Sequence, residues 1–209
     1  MADSYDNMAI VYKTKAELDR ALELHTKSLT IRLSAVGADH PDVAGSYNNI
    51  AMVYRAKEDV DKASEYSNKS MLITLGKLGP NHPLAAHSYN NIAIAYRTKG
   101  ELDTALEYYN KLLLIRVNTL GKDHPDIADS YNNIAMIYRD QGELDKALEY
   151  YHASLDIKKI TLGGQHADVA STYKDLAHVY DDHGELDKSV EYSQKSVYIL
   201  RGRKTIPKW

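Results

Sequence analysis

Cysteine is absent from the 209 residues. Disulfides, thiolate metal sites and cysteine nucleophiles are excluded together. A reducing interior is the default setting for such a chain, so a cytoplasmic location is expected. Phenylalanine is absent too, and the single tryptophan is Trp209. No apolar run approaches the roughly 18–20 residues that cross a bilayer. The opening Met1-Ala2-Asp3-Ser4 has neither the basic nor the apolar stretch of a secretory signal. Neither sign of charge is in excess: 26 basic residues face 29 acidic ones, for a formal net charge of −3. That balance leaves no electrostatic footprint for nucleic acid or an anionic membrane. Phosphate-cradling glycine loops, G-x-S-x-G elbows and H-E-x-x-H motifs are missing, and the carboxylates are scattered. No enzyme, cofactor or metal is expected.

What the chain has instead is tyrosine, seventeen of them, at fixed intervals. Tyr5, Tyr47, Tyr89, Tyr131 and Tyr173 lie 42 residues apart, as do Tyr12, Tyr54, Tyr96, Tyr138 and Tyr180. The string S-Y-N-N-I-A recurs unchanged from Ser46, Ser88 and Ser130. A period of this size means stacked copies of one supersecondary unit, each burying its apolar face against its neighbours.

One copy, residues 84–125, shows the unit. Ala85, Tyr89, Ile92, Ala93 and Tyr96 fall on one face of a helix that Gly100 closes. A second helix, from Glu101 to about Leu120, buries Leu102, Ala105, Leu106, Tyr109, Leu113 and Leu120. Glu101 and Asp103 suit its positive end, Gly121 stops it, and His124-Pro125 opens the next copy. Each unit is therefore two antiparallel helices. A coiled coil is excluded although 42 is six heptads, because Gly-x-x-His-Pro interrupts any continuous helix. His40, His82, His124 and His166 sit one unit apart, too far to share a metal ion. They read as helix caps or linker packing. His178 and His183, with Asp181 and Asp182, lie on different helix faces and give no metal site either. The tyrosines fall in the packing stripes.

At these spacings Tyr89, Ile92, Ala93, Tyr96, Ala105, Tyr109 and Leu112 resemble the tetratricopeptide repeat. The longer unit, with Leu120-Gly121-Lys122-Asp123-His124-Pro125 between hairpins, is similar to kinesin light chains and related 42-residue repeats. The resemblance implies an all-α fold, a solenoid of five antiparallel helix-turn-helix repeats in a right-handed superhelix. A single array is expected over residues 1–201, with repeats at about 1–41, 42–83, 84–125, 126–167 and 168–201, and a basic tail at 202–209. Three departures stand out. Ala16 and Glu58 replace the glycine seen at 100, 142 and 184, which predicts looser or differently shaped first turns. Ala167 replaces the linker proline. Neither end carries a polar capping helix, so the chain reads as a segment of a longer protein, or as an array whose bare ends pack on something.

A second stripe runs beside the core stripe of each first helix. It comprises Asn48, Asn49, Met52 and Arg55; Asn90, Asn91, Ile94 and Arg97; and Asn132, Asn133, Met136 and Arg139. The resemblance implies that first helices line a concave groove and that these residues hold an extended peptide of a partner protein. Asparagine amides pair with peptide backbone, arginines with carboxylates, and Met or Ile takes apolar side chains. The same asparagines could instead bond between adjacent repeats, or be idle relics of duplication. The outer copies offer Asp6, Asn7, Ile10 and Lys13, and Lys174, Asp175, His178, Asp181 and Asp182. The family's lysine clamp for a C-terminal carboxylate is not reproduced, because Asp6, Asn48, Asn90 and Asn132 stand where its first lysine belongs. The expected function is an interaction scaffold. The alternative is a structural array that self-associates end to end through its terminal repeats.

Overall fold

The linker histidines set where the helices begin. In the computed structural model, which describes residues 1–202, His40, His82, His124 and His166 each accept the backbone N–H two residues on. The Nδ1–N distances are 3.1, 3.1, 3.2 and 3.2 Å. Each ring thereby satisfies one of the orphan donors of a helix start. Pro41, Pro83 and Pro125 fill the first helical position, where a missing N–H costs nothing. Ala167 serves there in the last copy, behind the same histidine cap.

Ten helices follow among the described residues. They are α1 (Ala2–Thr14), α2 (Leu18–Val36), α3 (Pro41–Ala56), α4 (Val60–Lys77), α5 (Pro83–Thr98), α6 (Leu102–Leu120), α7 (Pro125–Asp140), α8 (Leu144–Leu162), α9 (Ala167–Asp182) and α10 (Leu186–Leu200). None is long and apolar enough to cross a membrane. Most of the basic tail expected at 202–209 lies outside the described residues.

The five hairpin turns are alike, contrary to the expectation for the first two. The N–H groups of Glu17, Asp59, Glu101, Glu143 and Glu185 reach back to the carbonyls of Tyr12, Tyr54, Tyr96, Tyr138 and Tyr180, at 2.8–3.0 Å. This is the six-to-one bond of a Schellman cap, which needs a left-handed residue just before it. Gly100, Gly142 and Gly184 supply φ near 80°. Ala16 and Glu58 adopt 59° and 60° in the same place. Packing and the cap bonds hold the turn shape, so the missing glycines leave strain rather than a different loop.

The chain divides into two compact units, residues 1–115 and the residues from Arg116 onward, with the division inside α6. In the first unit, Val43 and Ile50 of α3 cluster with Leu29 of α2, and Val53 with Ala9 and Ala21. Ala85, Tyr89, Ile92, Ala93, Ala105 and Tyr109 are buried as the repeat pattern predicts. Leu120, expected in the core, is exposed as the last residue of α6, while Leu112 and Ile115 are buried instead. In the second unit, Tyr151 and Leu155 of α8 pack with Val169, Leu176 and Val179 of α9. Each large side chain removed from water contributes about 1.5–3 kcal/mol before the entropy of ordering it.

The tyrosines build a second feature. Tyr66 of α4 lies between Tyr47 and Tyr54 of α3, with ring centroids 5.9 and 5.5 Å apart. Tyr108, Tyr150 and Tyr192 repeat the arrangement in later hairpins. These central rings are half-buried, so each phenol can keep its hydroxyl in water while its ring packs. A lysine sits over each central ring in three of the hairpins: Lys69, Lys111 and Lys195, at 4.8, 4.8 and 4.7 Å.

Candidate interaction surface

Successive positions on a helix differ by about 100°. The two members of each Asn-Asn pair therefore cannot face the same way. In the first unit, Asn48 of α3 is buried and turns toward α5, where its Oδ1 accepts from Ser88 Oγ at 3.1 Å. Ser88 Oγ is also 3.1 Å from Ser70 Oγ of α4. The Asn48 Nδ2 is buried and unpaired, and exchanging the amide's O and N would orphan the oxygen instead. Asn91 of α5 is buried as well, and accepts from Arg55 Nη1 of α3 at 3.1 Å. Asn49, Met52, Asn90, Ile94 and Arg97 are half-buried.

Two cavities open along this stripe. One, of about 590 Å³, is lined by Asn48, Asn49 and Met52, with Asp6, Arg32 and His87 among its other walls. The second, of about 390 Å³, has Arg55, Asn91 and Ile94 in its lining, with Glu58, Val60 and Thr98. Each combines amide and charged groups with an apolar wall, the composition expected of a recognition pocket.

The second unit repeats the chemistry. Asn132 Nδ2 of α7 donates to Thr172 Oγ1 of α9 at 3.4 Å, and its Oδ1 is buried and unpaired. Lys158 of α8 reaches the same hydroxyl at 3.3 Å and Asp129 at 3.2 Å. Asn133 is half-buried, and Met136 packs against the core of this unit. Arg139 Nε meets Asp182 Oδ2 at 2.6 Å. Asp175 faces Arg139, Lys158, Lys174 and His178. Burial nonetheless pushes its carboxyl above the ordinary aspartate value, and those cations only partly offset the push. His183, offered with Asp181 and Asp182 as a possible ligand cluster, instead meets Asp145 and Glu185 at 3.3 and 3.6 Å. No group of three or more His, Asp or Glu side chains among the described residues is placed to hold a metal.

In the first copy Asp6 is buried at the wall of the first cavity. His25 Nδ1 and Ser28 Oγ bond its two oxygens at 2.7 and 2.9 Å, and Arg32 Nη1 lies 2.7 Å away. Burial pushes this carboxyl up, but the bonds from His25 and Ser28 and the charge of Arg32 outweigh it, leaving the group below the usual value. Lys13, half-buried on α1, is pushed down by burial and by the neighbouring charge of Arg55.

The sequence pattern did not point to these seam groups. Ser46, Ser88, Ser130 and Thr172 are all fully buried and carry the bonds between helices. The signal was present: a hydroxyl residue precedes the Asn, Asn, Asn or Lys position by two in every one of these copies.

Comparison with known proteins follows the repeat. The family described as "Tetratricopeptide repeat" matches residues 1–71, 42–116, 86–159 and 126–201. A search of curated proteins found no matching relative. Among solved structures, the nearly identical TPR-like repeats of a kinesin light chain from Podosopora anserina are 24% identical, cover 97% of both chains and give a TM-score of 0.81. BtubC (BKLC) from P. vanneervenii is 22% identical over 99% of this chain and 84% of its own, with a TM-score of 0.85. A Rap protein complexed with Competence and Sporulation Factor is 17% identical over 94% of this chain and 53% of its own, with a TM-score of 0.77. At such identities the likeness is one of fold.

Proposed function

Because the chain belongs to the tetratricopeptide repeat family, whose fold commonly mediates protein–protein interaction, we infer that it is a scaffold holding an extended peptide of a partner protein. The peptide lies on the first-helix face of the first unit, along α3 and α5. The observation that carries this reading is the pair of cavities on that face, which divide the stripe between them. Asn49 and Asn90 supply amides able to donate to and accept from peptide backbone whatever its side chains. Met52 and Ile94 offer apolar walls to alternate side chains. Arg55 and Asn91 hold each other and present the second cavity's polar rim. Asn132, Asn133, Met136 and Arg139 are the equivalent contacts of α7 within the second unit. Asn48 contributes by fixing the seam between α3 and α5, so its effect on binding is indirect. That a Rap protein of the same fold is found complexed with Competence and Sporulation Factor supports a ligand-holding role for such an array.

The test is selection from a phage-displayed library of unstructured peptides, followed by anisotropy titration of a selected peptide. Asn49→Ala/Met52→Ala is expected to weaken that peptide about tenfold, the loss of roughly 1.4 kcal/mol, with an unchanged melting temperature. Asn48→Ala is expected to lower the melting temperature. Failure to select any peptide, or equal binding by wild type and the double variant, overturns the reading.

A further inference from the structure

Among the described residues, α1 and α10 each expose a face that the corresponding internal helices bury. Ile50, Ile92, Ile134 and Leu176 of the internal first helices are at most 1% exposed. The residue at that position of α1 is Met8, which is 43% exposed. Val53, Ala95, Ile137 and Val179 are likewise buried, and their counterpart Val11 is 51% exposed. Met1 stands exposed where Val43, Ala85, Ile127 and Val169 are fully buried. The reverse holds at the other end. Tyr151 and Leu155 of α8 are buried against Val169, Leu176 and Val179 of α9, with Leu144 and Leu148 packed beside them. The corresponding stripe of α10 carries Leu186, Val190, Val197 and Leu200, each between 42% and 64% exposed.

The α10 face differs from that of α8 in having Ser193 in place of the buried Tyr151 and Leu200 in place of Lys158. Arg32, Arg116 and Lys158 reach across their seams to Ser46, Ser130 and Thr172, at 2.6, 2.8 and 3.3 Å. Leu200 occupies the equivalent position in α10. A cation there would need a partner, whereas leucine needs only apolar cover.

We propose that the protein assembles head to tail with further copies of itself, α10 of one copy docking on α1 of the next. Val190 then meets Met8 and Val11, as Leu22 lies with Ile50 and Val53 inside the chain. Val197 meets Met1 and Met8, as Leu29 meets Val43 and Ile50. The contact is heterologous, so each added copy leaves a free face of each kind and growth does not stop at a dimer. This rests on the terminal helices alone and is independent of the peptide face.

Sedimentation equilibrium on the full chain tests it, with two variants. Met8→Asp/Val11→Asp disables the α1 face, and Val190→Asp/Leu200→Asp the α10 face. All four side chains are more than two-fifths exposed, so helicity by circular dichroism is expected to stay at the wild-type level. Wild type is expected to gain weight-average mass continuously with concentration, passing two copies. Each variant alone associates at least about tenfold more weakly, because a buried unpaired carboxylate opposes the contact. An equimolar mixture of the two regains one intact junction and stops at a pair. The proposal is overturned by a wild type that is monomeric at every concentration. It is also overturned by variants that dimerise alone, which would mean like faces pairing, or by a mixture that fails to pair.

Discussion

Ala16 and Glu58 hold φ of 59° and 60° where three other hairpins place glycine. A side chain in this left-handed region costs on the order of 1 kcal/mol relative to glycine. Ala16→Gly and Glu58→Gly are each expected to stabilise the protein by up to about 1 kcal/mol, a rise of roughly 2–4 °C by calorimetry. Gly100→Ala should show the opposite sign. Asp175 gives a second single-residue prediction. Its carboxyl is raised by burial despite Arg139, Lys158, Lys174 and His178. The folded state therefore binds the proton more tightly than the unfolded one, and stability falls as pH climbs from the ordinary aspartate value of 3.8 through the raised one. Asp175→Asn is expected to raise the melting temperature at neutral pH and to lose that advantage in acid. The turn strain was legible because a strict period exposes any missing glycine. Which asparagine of each pair faces the seam was not, since both lie on the arc between core and groove and only packing decides between them.

Helix limits were legible in the sequence because His-Pro and Gly punctuate every unit. The tyrosine triads were not, because aromatic residues at helical spacing read simply as core. They are clasps between the two helices of a hairpin, with half-buried central rings. Tyr108 has Tyr89 and Tyr96 at 5.9 and 5.8 Å and Lys111 Nζ at 4.8 Å. Tyr108→Ala is expected to cost about 2 kcal/mol in urea denaturation, below the range for a fully buried ring. Tyr108→Phe keeps the stacking and should stay within about 0.5 kcal/mol of wild type. The first hairpin has Leu24 in the central place. Its two helices are tied instead by Asp6, His25, Ser28 and Arg32.

Across the whole molecule, the number of hairpins followed directly from the period, and the apolar character of each seam followed from its stripe. The buried hydroxyl and amide groups that cross the seams did not, because serine and asparagine on a helix are read as surface until a neighbour covers them. The α10 face has Leu200 where α2, α6 and α8 carry the cations Arg32, Arg116 and Lys158. Head-to-tail assembly is therefore expected to resist salt: sedimentation in molar sodium chloride should show as much association as in dilute buffer, and sulfate should strengthen it. Dissociation by sodium chloride would point to an ionic contact elsewhere on this weakly acidic chain.

The lysines of the chain are not chemically equal. Lys69 and Lys111 are held protonated, first by hydrogen bonds to Glu65 and Glu107, and an ammonium has no lone pair to offer an electrophile. Lys13, its ammonium disfavoured by burial and then by the charge of Arg55, carries its free-base form at lower pH than they do. An acylating reagent used sparingly will mark that amine before the other two, placing a covalent tag on α1.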